Sequence, residues 1–297
     1  MYEMFLGLLK AQDVKYLENV SIAQISPIRI GGIARAVIYP DDTETLVKVL
    51  KLLSENKIAY KIVGRMSNIL PKDGYYDGVL IKTDKIRSYA FDNEYLFVES
   101  GATLTSVISE CMARRMCGFE ELVGIPGSIG GLIMTNAGAF GKEISDILCS
   151  VDLIDLSTHR RVMLCREDID FSYRGCPLKG KYALLSAKIR LVPRADSEIS
   201  TGIRYFRNLR MSTQPIGEMT LGSTFKRPKN GYAAKMIDEC GLKGASIGGA
   251  EISRVHAGFI INSNNATCAD VVALMGLCER EVLSRFGVRL EREIELM

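Results

Sequence analysis

Leu46, Val49, Leu50 and Leu53 recur along PDDTETLVKVLKLLSENK at the spacing of one helical face, and they predict a helix there. Asp41 and Glu44 stand at capping-box spacing at its start. Apolar runs at 36–39 and in AYKIVG flank this helix, which makes a βαβ unit. The turn Gly64-Arg65-Met66-Ser67-Asn68 then leaves the second strand, at the carboxyl end where ligands commonly bind. VLIKT, EYLFVES, CSVDLIDL, RRVMLC and ALLSAKIRLV read as further strands, with a helix expected over 104–116. SEISTGIRYFRNLRMST and YAAKMIDECG read as helices, the second stopping at Gly241. AEIS and GFIIN read as short strands, and Thr267 is placed to cap a long helix through CADVVALMGLCEREVLSRFG. The final VRLEREIEL alternates, with Val288, Leu290, Ile294 and Leu296 on one face and Arg289, Glu291, Glu293 and Glu295 on the other; Arg292 interrupts the apolar side. The fold class expected is α+β: a two-part module to about residue 195, followed by a smaller α+β domain.

Composition narrows the class. A chain of 297 residues with 47% hydrophobic and 25% charged residues has ample material for a core and for more than one domain. Its net charge of +3 is too mild to argue for nucleic acid or a membrane surface as a partner. No apolar stretch has bilayer-spanning length. MYEMFLGLLKAQDVKYLENV carries acids and lacks a basic start followed by a long apolar core, so it reads as a short amphipathic helix rather than a signal peptide. The eight cysteines include no C-x-x-C pair, and there are only two histidines, so no metal site is expected. Cysteines scattered through apolar stretches suit a reducing compartment, and the cytoplasm is the expected location.

The densest chemical signal is GIPGSIGGLIMTNAGAFG, which has six glycines between Gly124 and Gly141. Glycine costs backbone entropy and packs nothing, so the run implies tight turns or close approach of main chain to something else. There is no G-x-G-x-x-G after a strand and no P-loop lysine. Gly-Ile-Pro-Gly and Ser-Ile-Gly-Gly are expected to form turns whose N–H groups can face an anionic ligand; plain turns between strands are the competing reading. Gly31-Gly32 and the 64–68 loop add two weaker candidates of the same kind.

Single polar residues do not select themselves. Arg174 in FSYRGC, Ser223 in a Gly-Ser turn and Glu293 on the polar face of the last strand each have ordinary structural explanations. His256 precedes an apolar strand and reads as a structural histidine. From the residues alone, plain turns are the favoured reading of the glycine run, and a binder of an anionic ligand is as far as the functional reading goes.

Taken together and in order, SPIRIGGIARAVIYP, VGRMSNIL, GFEELVGIPGSIGGLIMTNAGAFGKEISD, DFSYRG, QPIGEMTLGSTFKRP, GLKGASIGGAEISRVHAGFIIN and VRLEREIEL resemble the UDP-N-acetylenolpyruvoylglucosamine reductase (MurB) family, in its shorter form. The resemblance covers nearly the whole chain. It implies a two-part FAD-binding module of the PCMH/vanillyl-alcohol-oxidase type, divided as 1–72 and 73–195, and a substrate-binding domain over 196–297. It implies FAD and NADPH as cofactors and UDP-N-acetylglucosamine enolpyruvate as substrate, reduced by conjugate hydride addition in peptidoglycan precursor synthesis. No nucleic acid or membrane partner is implied, and the chain is expected to be a monomer or weak oligomer. By motif match, Ser223 is the proton donor, and Arg174 and Glu293 stabilise the enolate-like carboxylate. The flavin is expected against Gly31, Gly32, Gly64, Ser67, Asn68, Gly124, Ile125, Pro126, Gly127, Ser128, Gly130, Gly131, Asn136 and Gly138. Tyr173, Arg210, Phe225 and Lys226 are expected at the substrate.

Five positions depart from the family's usual pattern. Met66 stands for the second glycine of G-x-G-S-N, Glu99 for another glycine, and Cys176 for the serine of Y-R-x-S; Thr213 and Val255 stand for lysines. A second FAD-dependent oxidoreductase built on the same module, and a non-catalytic flavin or nucleotide-sugar binder, are the competing readings.

Overall fold

The computed structural model describes residues 2–297. The chain forms two compact units. The first comprises Met1–Glu18, Ala36–Arg65 and Asp77–Asn208, and the second comprises Asn19–Arg35, Met66–Tyr76 and Leu209–Met297. Among the described residues no helix is long and apolar enough to cross a membrane.

In the first unit, the helix Thr43–Glu55 buries Leu46, Val49, Leu50 and Leu53, the face that the periodicity marks. Each such burial is worth about 1.5–3 kcal/mol against leaving the side chain in water. The cap falls one residue later than the sequence suggests: Asp42, not Asp41, accepts from the Thr45 N–H at 2.7 Å. Asp41 is instead drawn to Lys85 at 2.7 Å. The opening helix Tyr2–Ala11 supplies Phe5, Leu6 and Leu9 to the same core. The strand Tyr60–Val63 runs parallel to the 79–82 stretch of the strand Tyr75–Lys82, with Tyr60 opposite Val79 and Val63 opposite Lys82.

A five-stranded antiparallel sheet forms the rest of this unit, in the order Arg161–Cys165, Leu148–Asp155, Tyr182–Arg190, Tyr95–Glu99, Tyr89–Asp92. Its second core gathers Leu96, Val98, Val151, Leu153, Leu184 and Ile189 with Leu104, Val107 and Ile108 of the helix Leu104–Ala113. That helix ends three residues before the expected 116, and Met116–Cys117 pairs with Val192–Pro193 as a short strand.

In the second unit, a four-stranded antiparallel sheet runs Thr220–Ser223, Phe259–Asn262, Ala250–Ile252, Ser246–Ile247. The helix Cys268–Phe286 covers it, burying Val271, Leu274, Met275, Cys278 and Val282. Thr267 caps this helix in a full capping box with Asp270, and Gly287 closes it at φ 68°. The expected last strand is regular only at Glu295–Leu296, which lies parallel to Ile69–Leu70. The alternation describes burial in part: Ile294 is buried and Val288 and Leu290 pack on the core, but Leu296 is exposed. Arg292, which interrupts the apolar face, meets Glu279 of the long helix through two hydrogen bonds of 2.6 and 2.9 Å. Segments 19–35 and 66–76 cluster here because Ile28, Ile30 and Leu70 join the core of Leu221, Phe225 and Ile260.

Candidate active site

In the first unit, loops leaving several strands converge on the glycine run. The Ser-Ile-Gly-Gly stretch is not a set of turns: Ile129–Met134 is a short helix capped by Ser128, whose Oγ accepts from the Gly131 N–H. The N–H groups of Ile129, Gly130 and Gly131, expected to face an anion, are engaged within the protein. Ile129 donates to the Ala102 carbonyl at 2.9 Å and Gly130 to the Ser100 carbonyl at 2.8 Å. The glycines are needed for this approach, because a Cβ on Gly130 would stand 2.9 Å from the Ser100 carbonyl oxygen. A Cβ on Gly101 would overlap the Thr83 carbonyl, and one on Gly64 would overlap the Ser128 hydroxyl. Lys82, almost fully buried, ties these loops together by donating to the Gly64 carbonyl at 3.1 Å and pairing with Asp84 at 3.0 Å.

Main chain is thus brought together without intervening side chains at Gly64, Thr83, Gly101 and Gly130. Beside it, Ser100 Oγ and Asp84 Oδ1 are buried with no hydrogen-bond partner in the protein. Buried polar atoms are rarely left so, and a polar ligand lying on bare backbone fits this surface. Sequence reasoning missed Lys82, Thr83, Asp84, Ser100 and Gly101. Their one signal is the glycine that follows the VES strand end. We expect Gly101→Ala to lower stability by about 3 kcal/mol or more, because backbone rather than a flexible side chain must yield. Chemical denaturation with and without added FAD checks this, and the variant should also retain less flavin.

The remaining expected flavin contacts are distributed between the units. Ile125 donates to the Leu122 carbonyl at 3.1 Å, Gly127 accepts from Leu104 at 3.1 Å, and Gly124 has φ 83°. Pro126 lies between them in the same loop. Asn136 is fully buried. Its amide donates to Glu143 Oε2 at 2.7 Å and to the Ser172 carbonyl at 2.9 Å, and its oxygen accepts from the Ser145 N–H. Asn136 therefore anchors the turn that carries Tyr173 and Arg174. Gly31, Gly32, Ser67 and Asn68 belong to the second unit. Gly31 has φ 129°, and a Cβ on Gly32 would overlap the Gly74 backbone. The Asn68 amide donates to the main-chain carbonyl of Glu293 at 3.0 Å.

Arg174 sits at φ 53°, a left-handed conformation that costs a residue with a Cβ roughly 1–2 kcal/mol. Its Nη2 donates to the Gly138 carbonyl at 2.7 Å, and its guanidinium lies 5.1 Å from the centre of the exposed Tyr173 ring. Two residues on, burial pushes the Cys176 thiol above its ordinary pKa, which leaves it neutral and poorly nucleophilic.

In the second unit, Ser223 ends the strand Thr220–Ser223, opposite Phe259, and its side chain is exposed. Immediately after it the chain runs antiparallel to the tail. Thr224 accepts from the Glu293 N–H at 2.9 Å, Phe225 bridges Arg292, and Lys226 donates to the Glu291 carbonyl at 2.8 Å. Ser223 and Glu293 therefore stand on neighbouring antiparallel segments. The Lys226 ammonium pairs with the Glu291 carboxylate. Arg210, nearly buried, donates to Gln214 at 3.2 Å. His256 is structural as expected: its Nδ1 accepts from the Gly258 N–H at 3.1 Å, and burial lowers its pKa so that it stays neutral. Arg174 and Tyr173 belong to the first unit, while Ser223, Glu293, Arg210, Phe225 and Lys226 belong to the second.

Two of the family departures have visible consequences. Met66 is buried at φ 56°, a backbone state that a glycine would hold without strain. The Glu99 carboxylate accepts from the Ser88 N–H at 2.7 Å.

Residues 34–160 match the model of an FAD-binding domain family, and residues 214–297 match the C-terminal domain of UDP-N-acetylenolpyruvoylglucosamine reductase. A reductase of that name from Caldicellulosiruptor bescii is 37% identical over all of this chain and 94% of its own length. The chain belongs to the UDP-N-acetylenolpyruvoylglucosamine reductase family. The crystal structure of the Thermus caldophilus family member superimposes with a TM-score of 0.81 at 27% identity, covering 95% of this chain and 98% of the other. Berberine bridge enzyme from Eschscholzia californica shares the fold of the FAD module, with a TM-score of 0.50 at 16% identity over 65% of this chain and 44% of that one. The α+β class expected from the sequence holds.

Proposed function

We propose that the protein reduces UDP-N-acetylglucosamine enolpyruvate to UDP-N-acetylmuramate, using FAD and NADPH, in peptidoglycan precursor synthesis. Family membership over the full chain supports the reaction. The observation that carries the site is the antiparallel pairing of 224–226 with 291–293, which brings a serine hydroxyl and a carboxyl onto adjoining segments.

The division of labour we infer gives the cofactor to 1–195, as the two parts 1–72 and 73–195, and the substrate to 196–297, with Glu293 supplied by the tail. Gly64, Thr83, Gly101 and the 124–138 run offer main chain on which FAD can lie, and Ser100 and Asp84 offer polar atoms to it. FAD held there would supply the hydride chemistry that links NADPH to the methylene carbon of the enol ether. Negative charge then grows on the adjacent carbon and its carboxylate. A guanidinium fixed at that carboxylate stabilises it, and Arg174 fills this role. The Ser223 hydroxyl gives its proton to the carbanionic carbon and recovers one from solvent. Glu293 acts protonated or hydrogen-bonded, since a bare carboxylate would repel the developing charge. Arg210 and Lys226 supply positive charge to the diphosphate, and Tyr173 and Phe225 supply apolar surface. The protein works as a cytoplasmic monomer or weak oligomer.

Anaerobic titration tests the whole reading. NADPH should bleach the flavin of the holoenzyme, and the enolpyruvyl sugar nucleotide should restore its colour. A flavin that NADPH reduces but the sugar nucleotide does not reoxidise would remove the substrate assignment.

A further inference from the structure

Resting on the role proposed for Glu293, we infer that the side chain of Asn68 is a positioning group for that carboxyl. The Asn68 amide nitrogen donates to the main-chain carbonyl of Glu293 at 3.0 Å, and the main-chain carbonyl of Asn68 accepts from the Glu295 N–H, also at 3.0 Å. One residue therefore grips the tail on both sides of Ile294, which is itself buried in the core of the unit. The next residues continue the grip, with Ile69 opposite Glu295 and Leu70 opposite Leu296. On its other flank, the Glu293 N–H is held by the Thr224 carbonyl at 2.9 Å. Both main-chain hydrogen-bonding groups of Glu293 are thus occupied, one by the serine-bearing segment and one by the Asn68 side chain. Only the second is a side-chain bond, so it can be removed by substitution without breaking a β pairing.

The chemistry gives this bond a purpose. A carboxyl that must meet a developing charge loses about 100-fold in rate when displaced by 1 Å. The pairing with 224–226 holds the Glu293 N–H, and the Asn68 amide holds its carbonyl on the opposite side. Asparagine is suited to the task, since its amide donates without bringing a charge beside the neighbouring carboxyl.

The experiment uses holoenzyme variants Asn68→Ala, Asn68→Asp, Glu293→Gln and the Asn68→Ala/Glu293→Gln pair. Bound flavin, anaerobic reduction by NADPH and reoxidation by substrate are each measured. The Asn68→Ala variant should keep its flavin and its reduction by NADPH, and should be reoxidised about 10- to 100-fold more slowly, with KM little changed. In the Glu293→Gln background the same substitution should cost nothing further. The Asn68→Asp variant should be defective at neutral pH and approach wild type as pH falls, because only a protonated carboxyl can donate to the Glu293 carbonyl. That profile also serves if the alanine variant does not fold. Loss of flavin from Asn68→Ala, a full additional loss in the pair, or an Asn68→Asp defect independent of pH would each overturn the inference. Normal reoxidation in Glu293→Gln alone would instead remove the role of Glu293, and this inference with it.

Discussion

Replacing Ser223 by alanine should leave a yellow, folded protein that NADPH still reduces and that no longer passes the electrons to the enolpyruvyl substrate. The expected loss in substrate-driven reoxidation is about 10²- to 10⁴-fold, the range for removal of a positioned general acid. That corresponds to roughly 3–5 kcal/mol of transition-state stabilisation. Stability should hardly change, since the Ser223 side chain is exposed and its strand is held by main-chain pairing with Phe259. Stopped-flow absorbance of the two half-reactions separates these effects. Equal reoxidation rates in the variant and the parent would give the proton to another group.

The second large effect is at Arg174. Arg174→Ala and Arg174→Gly should both slow reoxidation by about 10²- to 10³-fold, the range for a lost electrostatic stabiliser. They should differ in stability. The backbone at this position is left-handed at φ 53°, so glycine fits it and alanine does not. The glycine variant should be more stable than the alanine variant by about 1 kcal/mol. Both lose the bond to the Gly138 carbonyl equally, so the comparison isolates the backbone. Urea midpoints for the pair, with reoxidation rates from the same preparations, measure both quantities. A glycine variant no more stable than alanine would mean that the turn relaxes when the guanidinium is gone. An arginine at φ 53° stores backbone strain at the position proposed to meet the substrate carboxylate.

The parts of the fold legible in the sequence are those governed by local rules. Thr43–Glu55 and Cys268–Phe286 carry their period, their caps and, for the second, a closing glycine within a few residues of themselves. The glycine run signals close approach but not its partner: nothing near Gly130 announces that Ser100 will press against it. The same holds for segments 19–35 and 66–76, whose neighbours in sequence are not their neighbours in the core. At the site, motif resemblance rather than spacing singled out Ser223, Arg174 and Glu293. Alternation could not choose Glu293 over Glu291; the Glu291 carboxylate pairs with Lys226. Glu99, an apparent obstacle where the family has glycine, has its carboxylate on the Ser88 N–H.

Asn68 and Glu293 are 225 residues apart in the chain. Joining them closes a loop that contains most of the polypeptide. Closing so large a loop adds only a little to the thermodynamic cost over a loop half its size, because the entropy rises with the logarithm of length. Its kinetic weight is larger, since contacts of long sequence separation form late in folding. The segment bearing the carboxyl is thus among the last to settle, and a refolding chain regains its bulk secondary structure before it regains the power to turn over substrate.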